Sequence, residues 1–191
     1  MSRMIAFRLA LACGLVLLTA SLVLALPPAG KSFPALDLAA PDREADLDYL
    51  GLPKDAPTYR IEDVDAPFVL VQFFNVYCMH CQAEAPDVQK LFAAVSDGDL
   101  AEKLKMTSVA MGNTAFEIRV FREKYGLTLP MSTDESFAAH KALGAPGTPA
   151  YVLVRNPKDK GGRATVLFSG EGRFVSWEKF LDTVRSKVKE E

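Results

Sequence analysis

A three-layer α/β sandwich with a mixed central sheet is the fold class that this 191-residue sequence predicts. Three observations carry it. Continuous apolar runs such as Phe68–Phe74, interrupted only by Gln72, read as strands covered on both faces. Between them, apolar residues return at helical spacing. The last two strand-like runs are joined by a charged, glycine-containing loop and followed by one more amphipathic helix, so the alternation closes on a hairpin.

In chain order, the first segment stands apart from that sandwich. Arg3 and Arg8 precede an uncharged apolar run from Leu9 to Leu26. Positive charge ahead of such a run sends the downstream chain across a membrane. At about 1.5 Å per residue the run reaches about 27 Å, marginal against a hydrocarbon core of about 30 Å. Two fates therefore stay open for residues 1–26: a cleaved signal peptide, with Val23 and Ala25 as the small residues before the cut, or a retained membrane anchor. Both place the body outside the cytoplasm, in a periplasm or an equivalent space. Cys13 reads as an apolar residue of the leader, because only four apolar residues separate it from Arg8, too few for a lipoprotein-type signal.

Residues 27–65 read as a linker followed by an irregular N-terminal extension. Pro27, Pro28, Gly30 and Lys31 form the spacer, and residues 33–38 alternate as an edge strand would. The charge-rich residues 42–48 belong on the surface, and residues 49–52 are apolar enough to pack back onto the body. Residues 66–191 form the domain. Within it, Phe68–Phe74 leads to a helix whose Val88, Leu91, Phe92 and Val95 share one stripe, closed by Asp97 and Gly98. Residues 106–111 read as a second core strand. Thr114 and Glu117 have capping-box spacing for the next helix, which Gly126 is placed to end. A loop or short strand at 127–131, a short helix at 134–143 and strands at 150–154 and 164–169 come next. The last helix carries Trp177, Phe180, Leu181, Val184 and Val188 on one face.

The chemistry-bearing stretch, Cys78-Met79-His80-Cys81, lies between the first domain strand and its helix. Strand, Cys-x-x-Cys and helix is a layout for disulfide exchange. Unpaired N–H groups and the positive end of the helix dipole favour a thiolate on Cys78, which makes it the attacking thiol. Cys81, one turn on along the same face, is the resolving one. A structural zinc needs four ligands, and beyond the cysteine pair the body offers only His80 and His140, so no metal is expected. Gln82 stands where haem attachment would require a histidine. No cofactor beyond a redox-active disulfide is expected. A formal charge of −2 without any Lys/Arg run gives no reason to expect a nucleic-acid partner.

With Thr148-Pro149 ahead of a strand and Pro86 inside the helix, this set resembles the thioredoxin superfamily, and more closely its exported TlpA/ResA-type thiol–disulfide oxidoreductases. The resemblance covers residues 66–191 and, more loosely, the extension. It implies a thioredoxin-like sandwich with an extra strand–helix insert at residues 106–126, since Cys81 and Pro149 lie 68 positions apart. It implies that Pro149 is the cis-proline against the disulfide, that Thr148 offers backbone hydrogen bonds to a bound partner, and that Tyr77 supplies an aromatic wall. Glu84 matches an active-site glutamate that takes and returns the proton of Cys81; a solvated first-turn glutamate is the alternative. The partners implied are protein thiols and disulfides and a membrane thiol transporter as electron donor, with the haem-binding cysteines of apocytochrome c as one substrate.

The departures matter as well. Gln72 stands where thioredoxin has a buried aspartate, so that proton relay is missing. Met79 and His80 replace Gly-Pro between the cysteines. A protonated His80 beside the pair would stabilise the reduced dithiol and make the couple more oxidising, as in DsbA-type proteins; a His80 turned to solvent would not. The expectation is a reductant in cytochrome c maturation or a related exchange, with a DsbA-like oxidant as the alternative. A peroxiredoxin-like peroxidase would need a threonine at Asn75, and a metal-delivery or binding module would have only His140 as a further ligand.

Overall fold

The computed structural model describes residues 26–159 and 161–190, so the predicted leader, Leu26 aside, lies outside the described residues. In chain order the elements are β1 (Leu38–Ala39), α1 (Glu44–Leu50), β2 (Thr58–Tyr59), a 3-10 turn (Ile61–Asp63), β3 (Phe68–Phe74), α2 (Met79–Ser96) and β4 (Leu104–Met111). Then come α3 (Ala115–Tyr125), β5 (Met131–Asp134), α4 (Ala138–Ala142), β6 (Ala150–Arg155), β7 (Thr165–Glu171) and α5 (Trp177–Lys189). β1 and β2 form a small antiparallel pair, and the rest form one mixed sheet in the order β5-β4-β3-β6-β7. β3 runs parallel to β4 and antiparallel to β6. The expected mixed sheet between helical layers is what the chain builds.

β3 is apolar except at Gln72 because it is the middle strand and all of its residues are buried. Successive side chains alternate between two cores. Leu70 and Phe74 face α2, α3 and α5, whereas Val69, Val71 and Phe73 face the other layer. That other layer is built largely by the N-terminal extension: Phe33, Leu38, Leu47, Leu50 and Ile61 are buried there. Each such side chain contributes about 1.5–3 kcal/mol by leaving water. Extension and sheet therefore share a core. The capping box before α3 forms as its spacing predicts: Glu117 N–H donates to Thr114 Oγ1 and the Glu117 carboxylate accepts from Thr114 N–H, while Gly126 ends the helix at φ 63°.

Local expectations are sharpened at several points. The edge pairing expected at residues 33–38 is made earlier, where Gly30 N–H donates to Val166 O, Val166 N–H to Lys31 O and Phe33 N–H to Ala164 O, all at 2.8 Å. Residues 42–48 keep Asp42, Glu44 and Asp48 on the surface as expected, but most of the stretch enters α1 and Asp46 is buried. Of the loop or short strand expected at 127–131, the loop is what forms, and β5 starts at Met131. The helix expected at 134–143 shrinks to α4, since Asp134 ends β5 and its carboxylate accepts the Ala139 and His140 N–H groups at 3.1 and 2.9 Å. His140 is half-buried, with Nε2 3.1 Å from Pro146 O.

The buried Asp46 ties the layers together around the β5 edge. Its carboxylate pairs with Arg122 of α3 at 3.2 Å and with Arg43, whose guanidinium also donates to Thr128 O and Leu129 O. Removing one partner of a buried pair leaves the other charge uncompensated. Asp46→Ala is expected to lower stability by about 3 kcal/mol, read from urea unfolding as a shifted midpoint with an unchanged m-value.

Candidate active site

The turn between β3 and α2 is fastened to the end of β4. Asn75 Nδ2 donates to Met111 O at 2.7 Å, its Oδ1 accepts from Tyr77 N–H at 2.8 Å, and its backbone carbonyl accepts from Cys78 N–H at 3.1 Å. Val76 N–H donates to the buried Asn113 Oδ1 at 3.0 Å. Gln82 Nε2, from the first turn of α2, donates back to Val76 O at 2.8 Å. Thus every residue from Asn75 to Cys78 is held by at least one of these bonds, and Cys78 lands as the N-cap of α2.

Both thiols are free, and their surroundings differ. Cys78 is partly exposed at the open helix end. Burial pushes its thiol up, but hydrogen bonds from the Thr148 hydroxyl, the Cys81 N–H and thiol and the His80 N–H together bring it below the ordinary value. Its Sγ also donates to Thr148 O at 3.2 Å, across the Thr148–Pro149 peptide bond, which is cis. That loop is fixed to β7: Gly147 N–H donates to Glu171 Oε2 at 3.0 Å and Gly172 N–H to Pro149 O at 2.7 Å. Cys81 is only 2% exposed. Burial, opposed by the Asn75 backbone and reinforced by the neighbouring Cys78, pushes its thiol up to about 12. A cavity of about 10 Å³ bounded by Cys81, Gln72 and Phe74 lies behind it. That is room for about one water.

Glu84 is fully buried, one turn beyond Cys81 on the same side of α2, so the solvated-glutamate alternative does not hold. Its carboxylate accepts from Tyr151 Oη at 2.6 Å and from Phe174 N–H at 2.9 Å. Burial raises its pKa; those two hydrogen bonds and the Arg173 charge oppose the rise. Tyr77 is 71% exposed and Met79 73%, so an apolar rim stands in water beside Cys78. The Tyr77 hydroxyl donates to Glu117. Glu117 is held at about 2, first by the Thr114 N–H and then by the Tyr77 and Thr114 hydroxyls, and stays a carboxylate acceptor. His80 is exposed, and no described residue hydrogen-bonds its ring.

The structure thus gathers Cys78, Cys81, Thr148 and Pro149 at one point, puts Glu84 behind Cys81, and leaves Tyr77 and His80 on the rim. Tyr151 and Ser108 escape sequence reasoning. A tyrosine or serine inside an apolar strand run reads as ordinary core, and only the pairing of strands brings such residues to one place. Glu117 is legible as a cap; its second hydrogen bond, to Tyr77, is not, because it joins residues 40 positions apart. Among the described residues, no group of three or more His, Cys, Asp or Glu side chains is placed to hold a metal ion.

Comparison with known proteins gives the same picture. The thiol–disulfide oxidoreductase ResA of Geobacillus thermodenitrificans is 23% identical over 127 residues, which cover 66% of this chain and 68% of the relative. Among solved structures, StoA from Bacillus subtilis superposes with a TM-score of 0.53 at 16% identity, covering 82% of this chain and 98% of that one. A secreted Mycobacterium tuberculosis disulfide oxidoreductase homologous to DsbE gives a TM-score of 0.54 at 16% identity, covering 80% and 96%. At those identities the structures establish a thioredoxin-like fold. The model of the AhpC/TSA family matches residues 36–175, most of the described chain, and the protein belongs to that thioredoxin-like family.

Proposed function

We propose that this thiol–disulfide oxidoreductase reduces disulfides of protein substrates outside the cytoplasm, with Cys78 attacking and Cys81 resolving. The contrast between the two thiols carries the reading: Cys78 is lowered and reachable, Cys81 is buried and raised to about 12. A lowered, reachable thiolate attacks a substrate disulfide, whereas a buried thiol meets only the mixed disulfide formed beside it. The apolar rim of Tyr77 and Met79 and the Thr148–Pro149 loop offer a polypeptide its contacts. Glu84 accepts the Cys81 proton as Cys81 closes the internal disulfide.

Reduction rather than oxidation is favoured by the position of His80. Strong oxidants stabilise their reduced form, and a histidinium over the thiolate is one means. Here the ring stands in water, where screening weakens its hold on the sulfur, and the groups favouring the Cys78 thiolate are neutral donors. Electrons would come from a membrane thiol transporter, and the haem-attachment cysteines of an apocytochrome c are the proposed substrate. The apolar run from Leu9 to Leu26 would carry the body across the membrane, as a cleaved signal or an anchor. The peroxidase alternative asks for a hydroxyl at Asn75, whose amide is instead spent on Met111 O and Tyr77 N–H.

The reduction potential of the Cys78/Cys81 couple is the test. It is expected far below the strongly oxidising level of about −120 mV, and a value near that level would overturn the reductant reading. Iodoacetamide labelling, mapped by peptide mass spectrometry, is expected to modify Cys78 with a midpoint below the ordinary thiol value of 9.0. Cys81 should stay unlabelled until the pH approaches about 12, because its thiolate appears only as its raised pKa is crossed. Glu84→Gln is expected to slow resolution of the mixed disulfide by about 10²-fold in stopped-flow assays, the usual scale for losing a proton acceptor.

A further inference from the structure

Three adjacent strands contribute one polar residue each to a single row: Ser108 of β4 lies opposite Gln72 of β3, and Gln72 opposite Tyr151 of β6. The row faces α2, on the same side as Leu70 and Phe74. Polar atoms on an apolar sheet face persist only when they satisfy one another. These do, and in one direction. Ser108 Oγ donates to Gln72 Oε1 at 2.8 Å, Gln72 Nε2 donates to Tyr151 Oη at 3.0 Å, and Tyr151 Oη donates to Glu84 Oε2 at 2.6 Å. An amide nitrogen only donates, so the tyrosine proton has nowhere to point along this chain except Glu84. The other carboxylate oxygen is taken by Phe174 N–H at 2.9 Å. Both oxygens of Glu84 are therefore held as acceptors.

We propose that Tyr151 is a positioning residue of the exchange reaction: through a one-way hydrogen-bond chain set by Ser108 and Gln72, it keeps Glu84 an oriented carboxylate ready for the Cys81 proton. The inference rests on the reading of Glu84 as that proton's acceptor. In the step concerned, Cys78 is joined to a substrate sulfur. Cys81 gives its proton to Glu84 and its sulfur attacks Cys78; the Cys78–Cys81 bond forms as the bond from Cys78 to the substrate breaks. The electron pair leaves on the substrate sulfur, which takes up a proton. The enzyme dithiol has lost two electrons, and the substrate disulfide has gained them. While Glu84 holds the proton on Oε2, it confronts a hydroxyl that is already aimed at it. Relief requires the Gln72 amide to turn over or the proton to move on, so the chain favours release.

Glu84 is also faced by Arg173, whose charge favours the carboxylate, and by Asp87 of α2, which opposes it. Cys81 lies within electrostatic reach of Tyr151. The Tyr151 ring packs on Phe174 and Phe180, with centroids 5.6 and 4.9 Å away. A phenylalanine can keep those contacts, which separates the hydroxyl from the ring.

The test mixes the reduced full chain with the chromogenic disulfide dithiobis(nitrobenzoate) and follows the second release of chromophore, the Cys81 step, against pH. In the wild type this phase should slow on the acid side as Glu84 becomes protonated. Tyr151→Phe is expected to move that acid limb upward by about one pH unit or more, the scale of one hydrogen bond to a charge. Fluorotyrosine at position 151, nearly isosteric and a stronger donor, is expected to move it downward, and decides the matter alone should the phenylalanine variant fail to fold. In a Glu84→Gln background, Tyr151→Phe is expected to change nothing further. A limb unmoved by the tyrosine variants, with Glu84→Gln still slow, overturns the role of Tyr151 and leaves that of Glu84 standing. A shift that persists without Glu84 overturns it too, and a second phase indifferent to Glu84→Gln overturns both.

Discussion

An amide in the middle of a buried central strand has to find partners or it destabilises the sheet, at about 1–3 kcal/mol for each unsatisfied group. Gln72 is that amide, and the arrangement around the thiols depends on how it is satisfied. Ser108 on one neighbouring strand and Tyr151 on the other take its two ends. Tyr151 then donates its own hydrogen bond to Glu84, one turn along α2 from Cys81. The same helix end thus presents two environments. Toward solvent, open N–H groups meet the Cys78 sulfur; toward the sheet lie a buried thiol and, one turn on, a buried carboxylate. A non-ionisable residue at position 72 thus sets the direction of the hydrogen bonds that lead to Glu84.

The strand–helix unit of β4 and α3 is joined to this site at several points. Met111 O and Asn113 Oδ1, at the end of β4, hold Asn75 and Val76. Glu117 caps α3 and also accepts the Tyr77 hydroxyl. One carboxylate therefore sets where the helix begins and where the exposed aromatic before Cys78 stands. Nothing in a capping box requires the second duty. It arises because α3 starts immediately after the chain leaves β4, beside the turn that carries the cysteines.

Features encoded by local spacing were legible in the sequence. The cysteine pair at a helix start, the α3 capping box and the central apolar strand each need only a few consecutive residues. The burial of Glu84 also had a local signal: Cys81, Glu84, Ala85 and Val88 share one helical stripe with Leu91 and Phe92, so the glutamate lies on the buried side by position alone. Distance in sequence hides the rest. Tyr151 meets Gln72 across 79 positions, and Asp46 meets Arg122 across 76. In the second case a charge-rich stretch mimics a solvated surface until a partner on another layer is known.

The two thiols also bear on the direction of electron flow. A couple becomes strongly oxidising when its reduced form is specially stabilised, usually by charge around the attacking thiolate. Around Cys78 the helpers are a hydroxyl, a thiol and two backbone N–H groups, and burial works against all of them. Forming the internal disulfide removes the Cys81 proton from a place where the thiolate is disfavoured, so oxidation needs an acceptor held close by. In the proposed mechanism Glu84 meets that need, because burial raises its proton affinity toward that of Cys81 and makes the transfer less uphill. An internal acceptor lowers the barrier for both directions of exchange. On the proposed reading the poise is left to Cys78, where modest neutral stabilisation favours the reducing side.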